Sequence, residues 1–297
     1  MSSYLEANAR ERMAQILDAG SFTEFLPPAA RIVSPHLGQL DAPVSFDDGV
    51  MVGLGLLGGQ KVAAAAQEGG FMGGAVGEVH GAKLVGLLKR AVQEQVAAVV
   101  LLLETGGVRL HEANAGLIAV SEVMRAVLDT RAAGIPVIVL VGGANGCFGG
   151  MGIVARCANS VIMSEEGRLA MSGPEVIETA NGVEEFDSRD RALVWRTTGG
   201  KHRYLLGDCQ ALVADDTTAF RDAVLQAMQS LSGSHSGLTL AALEAEQAML
   251  SKRLTAFGDA EDPADIWSRL GIAQAAQLPM LEAEPFVALT AAYRIKE

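Results

Sequence analysis

The sequence predicts an α/β fold in which buried strands alternate with helices. Two observations support this prediction. A strand, a glycine-rich loop and a helix recur three times between residues 60 and 160, and residues 97–105 and 136–141 are continuous apolar runs of strand length. Such runs are typical of strands buried on both faces. Strands also precede some helices in pairs, so the pattern fits a doubly wound sheet or a spiral of ββα units.

The composition is that of a folded globular protein. The 297 residues are 49% hydrophobic and 20% charged, with 34 glycines against 9 prolines. These values argue against a disordered chain and indicate many tight turns. The net charge of −12 disfavours a nucleic-acid-binding protein, and no basic run offers a membrane anchor. We therefore expect neither nucleic acid nor membrane as a partner.

The pattern divides the chain into three regions. Residues 1–43 are expected to hold an amphipathic helix at 4–18 and a loop. Residues 44–230 form the α/β core, which includes a helix from about Glu112 to Ala133, and residues 231–297 form a helical segment that packs on the core or on a partner subunit. The uncharged stretch from Gly134 to Ala155 could span a bilayer by length, but its seven glycines favour a buried strand, a turn and a helix start.

The cysteines and histidines suggest no metal site or disulfide framework. Cys147, Cys157 and Cys209 are widely spaced without a CxxC pair, and no two of the five histidines have metal-ligand spacing. The N-terminal segment is too charged for a signal peptide. We expect reduced thiols in a cytoplasmic protein, with Cys147 as a small buried hydrophobic residue rather than a nucleophile.

Two glycine loops are the most informative feature for function. Gly106-Gly107 and Gly149-Gly150 each follow a buried strand and precede a helix. Ligands of open α/β folds bind at the carboxyl ends of strands, where glycine lets backbone N–H groups approach an anion at a helix N-terminus. Two such loops that meet would form an oxyanion hole, in which one donor contributes about 2.7–4 kcal/mol. The alternative is that these glycines serve only tight turns and close packing.

Other site chemistries fit the sequence less well. The chain has no P-loop and no GxSxG segment, and GLGLLG at 53–58 has dinucleotide-binding spacing but no helix after it. Arg109 and His111 follow the first glycine loop directly. An arginine there could pair with a substrate carboxylate, and a histidine could donate a proton. Arg109 could equally be structural.

Five segments in order resemble the carboxyltransferase branch of the crotonase superfamily. They are GSFTEF, GGFMGGAVGEVHGAKL, ETGGVRLHEA, GGMGIVA and SGPEVIET. Within this branch, TGGVRLHEANAGL and NGCFGGMGIVARCA are most similar to the β subunits of biotin-independent malonate decarboxylases. The acetyl-CoA carboxylase β subunit is the nearest alternative, but in bacteria it usually carries a four-cysteine zinc ribbon that this sequence lacks.

The resemblance implies a crotonase fold, a spiral of ββα units with a helical C-terminal extension. It implies decarboxylation of a malonyl thioester on an acyl-carrier protein, through an enolate, to an acetyl thioester and CO2. No covalent cofactor is implied, since the carrier presents a CoA-like prosthetic group, and the partners would be a homologous γ subunit and the carrier. Two alternatives stay open: a carboxyltransferase β subunit of a biotin-dependent acyl-CoA carboxylase or decarboxylase, and a non-catalytic scaffold that docks the carrier.

The resemblance also assigns residues to the site. The donors of the oxyanion hole would be the backbone N–H groups of Gly106, Gly107, Gly149 and Gly150, with Gly150 the foremost candidate. The substrate-binding residues would be Arg109, Gly73, Gly74 and Met151. The proton donor to C2 stays open between His111, a residue of the partner subunit and water.

Overall fold

The structure, a computed structural model, describes residues 2–233 and 238–295. A seven-stranded sheet lies at its centre, with the strands in chain order: β1 Thr23–Phe25, β2 Val50–Leu57, β3 Gln60–Gln67, β4 Ala98–Leu103, β5 Val137–Val141, β6 Ser160–Ser164 and β7 Ala211–Val213. β1 and β3 pair antiparallel with β2. From β3 to β7 all neighbours are parallel, so the carboxyl ends of β3 to β7 lie at one edge.

Helices cover both faces of this sheet and continue beyond it. In the described ranges they are α1 Ala9–Ile16, α2 Glu78–Glu94, α3 Asn114–Ala132, α4 Gly149–Arg156, α5 Pro174–Asn181, α6 Arg191–Thr198, α7 Gly200–Leu205, α8 Thr217–Leu231, α9 Leu240–Phe257, α10 Pro263–Arg269 and α11 Ala283–Thr290. Helices α9 to α11 form the expected C-terminal extension. Residues 234–237, within the predicted C-terminal segment, lie outside the described residues.

The alternation of side chains along β4 explains why the sheet is buried on both faces. Val99 and Leu101 contribute to a cluster with residues of α2 and α3. Val100 and Leu102 contribute to a second cluster with residues of α1 and α8. Successive strand residues point to opposite faces, so a strand between two helical layers must be apolar throughout. The strand predicted in 97–105 is confirmed as β4, which is shorter and ends at Leu103.

Beyond the strand ends, single bridges build a second, shorter layer. Thr105 bridges to Cys147 and Cys147 bridges to Leu169, both in parallel. Each unit therefore runs from a long strand through a bridging residue towards a helix, which is the ββα arrangement. Of the two architectures left open by the sequence, the spiral of ββα units is confirmed.

The N-terminal segment contains a strand that the sequence did not reveal. Besides α1, residues 1–43 supply β1, which pairs with β2. The division into regions at residues 43 and 230 stays a prediction. The helix expected from about Glu112 begins at Asn114 instead, because Leu110–Glu112 form a separate 3₁₀ turn.

The stretch from Gly134 to Ala155 forms β5, a loop and most of α4. Among the described residues, no helix combines the length and apolar character needed to cross a membrane. The interpretation as strand, turn and helix start is confirmed.

Candidate active site

Three glycine-containing loops meet at the carboxyl edge of the parallel strands. The first loop is residues 104–108, the second is residues 142–150, and the 69–76 loop follows β3. The Thr105 N–H donates to the Gly146 carbonyl at 2.8 Å, and the Phe148 N–H donates to the Thr105 carbonyl at 3.0 Å. The Gly106 N–H donates to the Gly73 carbonyl at 2.8 Å. Backbone hydrogen bonds therefore fix all three loops to one another.

Gly107 and Gly149 are where the first and second loops touch. A Cβ atom at Gly149 would lie 3.1 Å from the Cα of Gly107, and one at Gly107 would lie 3.5 Å from the Cα of Gly149. Both residues have positive φ, 122° and 63°, which L side chains rarely adopt. The two loops meet because both positions are glycine.

The backbone amides of the four predicted donors do not all face open space. The Gly106 N–H is bonded to Gly73, the Gly107 N–H donates to Thr105 Oγ1 at 2.9 Å, and the Gly149 N–H donates to the Met171 carbonyl at 2.8 Å. For the Gly150 N–H, the described residues supply no acceptor. Gly150 is therefore the one glycine of the four that has a free donor, at the N-terminus of α4.

Gly73 and Gly74 position the 69–76 loop. Both have positive φ, and a Cβ at Gly74 would lie 1.8 Å from the Glu104 carbonyl oxygen. Only glycine permits this approach. Around Gly73 a Cβ would meet nothing within 4 Å, so Gly73 borders open space beside Gly106.

Arg109 departs from the expectation of a substrate-facing arginine. Its Nη1 lies 3.0 Å from Asp48 Oδ2 and 2.8 Å from Glu112 Oε1, and all three side chains are fully buried. The guanidinium also lies over the Phe71 ring, 5.3 Å from its centroid. With two carboxylates already bound to it, the side chain holds the base of the loops together rather than offering a free charge to a substrate.

Met151 and His111 differ in burial. The Met151 side chain is fully buried in the core between the sheet and α3, so only its backbone can approach a ligand. His111 is exposed on the 3₁₀ turn after the first loop. Of the two side chains, only that of His111 reaches the protein surface.

A buried polar chain, not foreseen from the sequence, runs beneath the loops. The Glu104 N–H donates to Gln67 Oε1 at 3.1 Å, and Gln67 Nε2 lies 3.0 Å from His80 Nε2. His80 Nδ1 lies 3.1 Å from the Asp48 carbonyl oxygen, which can only accept. The network therefore assigns a neutral His80 with its proton on Nδ1. Burial, with Arg109 acting in the same direction, lowers the pKa of His80 to about 3.

Cys147 is fully buried and free of disulfide bonds. Burial raises the pKa of its thiol to about 12, so the thiolate that a nucleophile needs is disfavoured. The interpretation of Cys147 as a buried apolar residue is confirmed. Among the described residues, His, Cys, Asp and Glu side chains form no group of three or more that could hold a metal ion.

Large apolar side chains are exposed close to the glycine loops and on the helices that follow them. Leu110 is 83% exposed and Met171 is 68% exposed, and Ile118 on α3 and Val176 on α5 are exposed as well. Large apolar side chains exposed next to a site are typical of a surface that another protein covers.

The fold and site together define a class: a crotonase-type α/β protein with a helix N-terminus presented between glycine loops. Residues 6–235 match the carboxyl transferase domain family. The chain belongs to that family, as the resemblance of its motifs indicated.

Two sequence relatives and one solved structure show which members of this family the chain is similar to. The chain is 48% identical to the malonyl-S-ACP:biotin-protein carboxyltransferase of Malonomonas rubra, over 76% of each chain. It is 33% identical to the acetyl-coenzyme A carboxylase carboxyl transferase subunit beta of Fusobacterium nucleatum, over 59% of each chain. It superimposes on a chain of a Pseudomonas malonate decarboxylase hetero-tetramer in complex with malonate with a TM-score of 0.81, at 40% identity, over 91% of this chain and 97% of that one. The resemblance to malonate decarboxylase subunits is confirmed.

The neutral buried histidine predicts how stability depends on pH. The folded pKa of His80, about 3, lies below the unfolded value near 6.5, so the unfolded chain binds the proton first and stability falls as pH falls below 6.5. Between pH 6.5 and 5.0, His80 should remove about 2 kcal/mol from the free energy of unfolding. The His80→Gln variant, which keeps a donor and an acceptor without titrating, should lose that much less in urea titrations at the two pH values.

His202 provides the matched comparison, because burial lowers its pKa to about 3 as well. His202→Gln should reduce the pH dependence equally, and the double variant should remove both contributions. An unchanged pH dependence in His80→Gln would show that His80 titrates normally in the folded protein.

Proposed function

We propose that this chain is the β-type subunit of a malonate decarboxylase. It would cleave the carboxylate from a malonyl thioester carried on an acyl-carrier protein and yield an acetyl thioester and CO2. The observation that carries the proposal is the free Gly150 N–H at the point where the two glycine loops touch. The similarity to a malonyl-S-ACP carboxyltransferase and to a malonate decarboxylase chain supports the same reaction.

The chemistry requires a place for one developing negative charge. When the bond between C2 and the carboxylate breaks, its electron pair passes to C2 and is delocalised onto the thioester oxygen as an enolate. The carboxyl carbon leaves as CO2. A hydrogen-bond donor held at the thioester oxygen stabilises this charge more in the transition state than in the substrate, and therefore lowers the barrier.

Gly150 supplies that donor in our proposal. It is the second residue of α4, so its N–H points out of the helix N-terminus, where the helix dipole favours negative charge. Gly106, Gly107 and Gly149, whose amides are bonded within the chain, would shape the site rather than donate to the oxyanion. A second donor would come from the partner subunit.

The partners in this proposal are a homologous γ subunit and the acyl-carrier protein. The exposed apolar side chains beside the site, with Leu110 and Met171 foremost, are the surface we assign to the γ subunit. The carrier would present the malonyl group on a CoA-like prosthetic group through the open space beside Gly73, and this chain would carry no covalent cofactor. We place the complex in the cytoplasm.

The final step is proton transfer to C2 of the enolate. His111 is our candidate donor within this chain, because it is exposed next to the first loop. The sources left open by the sequence, a residue of the partner and water, are the alternatives. Arg109, held by Asp48 and Glu112, acts in this proposal by keeping the first loop in place.

A second candidate function rests on one observation. The Malonomonas rubra relative, at 48% identity, is a carboxyltransferase to a biotin protein. Cleavage of the malonyl thioester and stabilisation of the enolate are common to both functions. They differ in the fate of the carboxyl group, which is released as CO2 in one and transferred to biotin in the other.

The first prediction from the proposed function concerns Gly150. A Cβ at this position would lie 2.7 Å from Val120 Cγ1 on α3, so Gly150→Val should push α4 away from α3 and displace the N–H. We expect turnover of malonyl thioester by the complex to fall about 10²–10³-fold, while co-purification with the second subunit persists. Turnover is measured as CO2 release.

Gly86→Val is the matched control. Gly86 also lies within a helix, α2, but a Cβ there would meet nothing within 4 Å. This variant should keep full turnover. Unchanged turnover in Gly150→Val would instead favour the non-catalytic scaffold that only docks the carrier.

The second prediction separates the two fates of the carboxyl group. Avidin sequesters biotin, so it should leave CO2 release by the purified complex unchanged if decarboxylation needs no biotin. The measurement is CO2 release from malonyl thioester with and without excess avidin, with avidin presaturated with free biotin as the control. Loss of CO2 release with avidin alone would assign the chain to the biotin-dependent function.

A further inference from the structure

We infer that Glu104 is a positioning residue for Gly150: its buried carboxylate binds the second glycine loop to the first and so sets where the Gly150 N–H points. This inference rests on the proposed function, because it concerns the donor named there. Neither Glu104 nor Asn145 was among the residues that the sequence assigned to the site.

The contacts of Glu104 join the loops directly. Glu104 directly follows β4 as the first residue of the first loop, and it is buried. Its Oε1 accepts from the Asn145 backbone N–H at 3.1 Å and from Asn145 Nδ2 at 3.0 Å. Asn145 Nδ2 also donates to the Gly69 carbonyl at 3.1 Å. One carboxylate oxygen and one amide therefore connect all three loops.

The space around the carboxylate is made by glycines. A Cβ at Gly143 would lie 2.3 Å from Glu104 Oε2, and a Cβ at Gly69 would lie 2.3 Å from Glu104 Oε1. Neither glycine has a positive φ, so backbone conformation alone does not require glycine there. The space needed by the Glu104 side chain does.

The charge of Glu104 is balanced from the N-terminal helix. Arg12 on α1 pairs with Glu104 Oε2, and both side chains are buried. Arg12 also donates through Nε to the Tyr4 carbonyl at 2.8 Å, and its guanidinium lies 4.6 Å from the centroid of the Tyr4 ring. A buried ion pair adds little net stability, but the loss of one partner leaves an unpaired buried charge. The pair therefore holds the carboxylate in one place.

The position of the second loop determines the position of Gly150. The loop runs from β5 to α4, and Gly150 lies five residues after Asn145. Between them, the Phe148 N–H donates to the Thr105 carbonyl, next to Glu104 in the chain. A shift of the second loop would move α4 at its N-terminus, and misplacement of a catalytic group by about 1 Å can lower turnover about 10²-fold.

Two double variants test the role of the Glu104 oxygen without leaving an unpaired charge. Arg12→Met/Glu104→Gln keeps an oxygen for the Asn145 N–H, whereas Arg12→Met/Glu104→Met keeps the length of the side chain but offers no acceptor. We call these two double variants the Gln variant and the Met variant, after the residue at position 104. In the assembled complex, the Gln variant should keep kcat near the wild-type value. The Met variant should lose kcat about 10- to 100-fold with an unchanged KM.

Hydrogen exchange gives a readout that does not depend on activity. The amides of residues 142–150 should exchange faster in the Met variant than in the Gln variant, while exchange in the strands of the sheet is the same in both. Equal kcat and equal exchange in the two variants would overturn the inference, because the carboxylate oxygen would then have no positioning role.

A single substitution with a matched control covers the case in which the double variants do not fold. Asn145→Ala should lower kcat at an unchanged KM. Asn159→Ala, which removes the Oδ1 that accepts from the Val137 N–H at the opposite edge of the sheet, should leave kcat unchanged. A wild-type complex without CO2 release would refute the proposed function, and this inference with it. CO2 release by the wild type with equal kcat in both alanine variants would refute the inference alone.

Discussion

The contact between Gly107 and Gly149 is the constraint on which the site depends. Parallel pairing of β4 and β5 brings two strand ends to the same edge of the sheet, and glycine at both positions lets the loops after them touch. This contact places the N-terminus of α4 beside the first loop. The sheet, the two layers of helices and the glycines thus combine to present the unbonded Gly150 N–H at a defined point.

Buried ion pairs beneath the glycine loops help to hold the N-terminus of α4 in place. Arg12 neutralises Glu104, and Arg109 lies between Asp48 and Glu112. Such pairs contribute little net stability compared with apolar packing, but they are directional and tolerate few alternative arrangements. His80 and Gln67 connect the two groups through hydrogen bonds with a single consistent orientation. The base of the site is therefore joined by a connected set of ion pairs and hydrogen bonds, in keeping with the preorganisation that an oxyanion site needs.

The sequence predicted those features that depend on local pattern. Continuous apolar runs indicated strands buried on both faces, and glycines after two strands indicated loops that could approach each other. The sequence could not predict which backbone amides are free to bind a ligand. The acceptor of the Gly106 N–H, for example, is the Gly73 carbonyl of another loop. Likewise, Arg109 binds Asp48, which lies 61 positions away in the sequence. β1, with three residues, was too short to show a period. For the amides and for Arg109, the missing information was a long-range contact.

The account is tested most directly by the position of a bound thioester oxygen. A structure of the assembled complex with a stable malonyl thioester analogue would give the distance from that oxygen to the Gly150 nitrogen. We expect about 2.7–3.1 Å, the range of a hydrogen bond to an oxyanion. An oxygen beyond hydrogen-bonding reach of Gly150, or a Gly150 N–H bonded to another acceptor in the complex, would contradict the central claim.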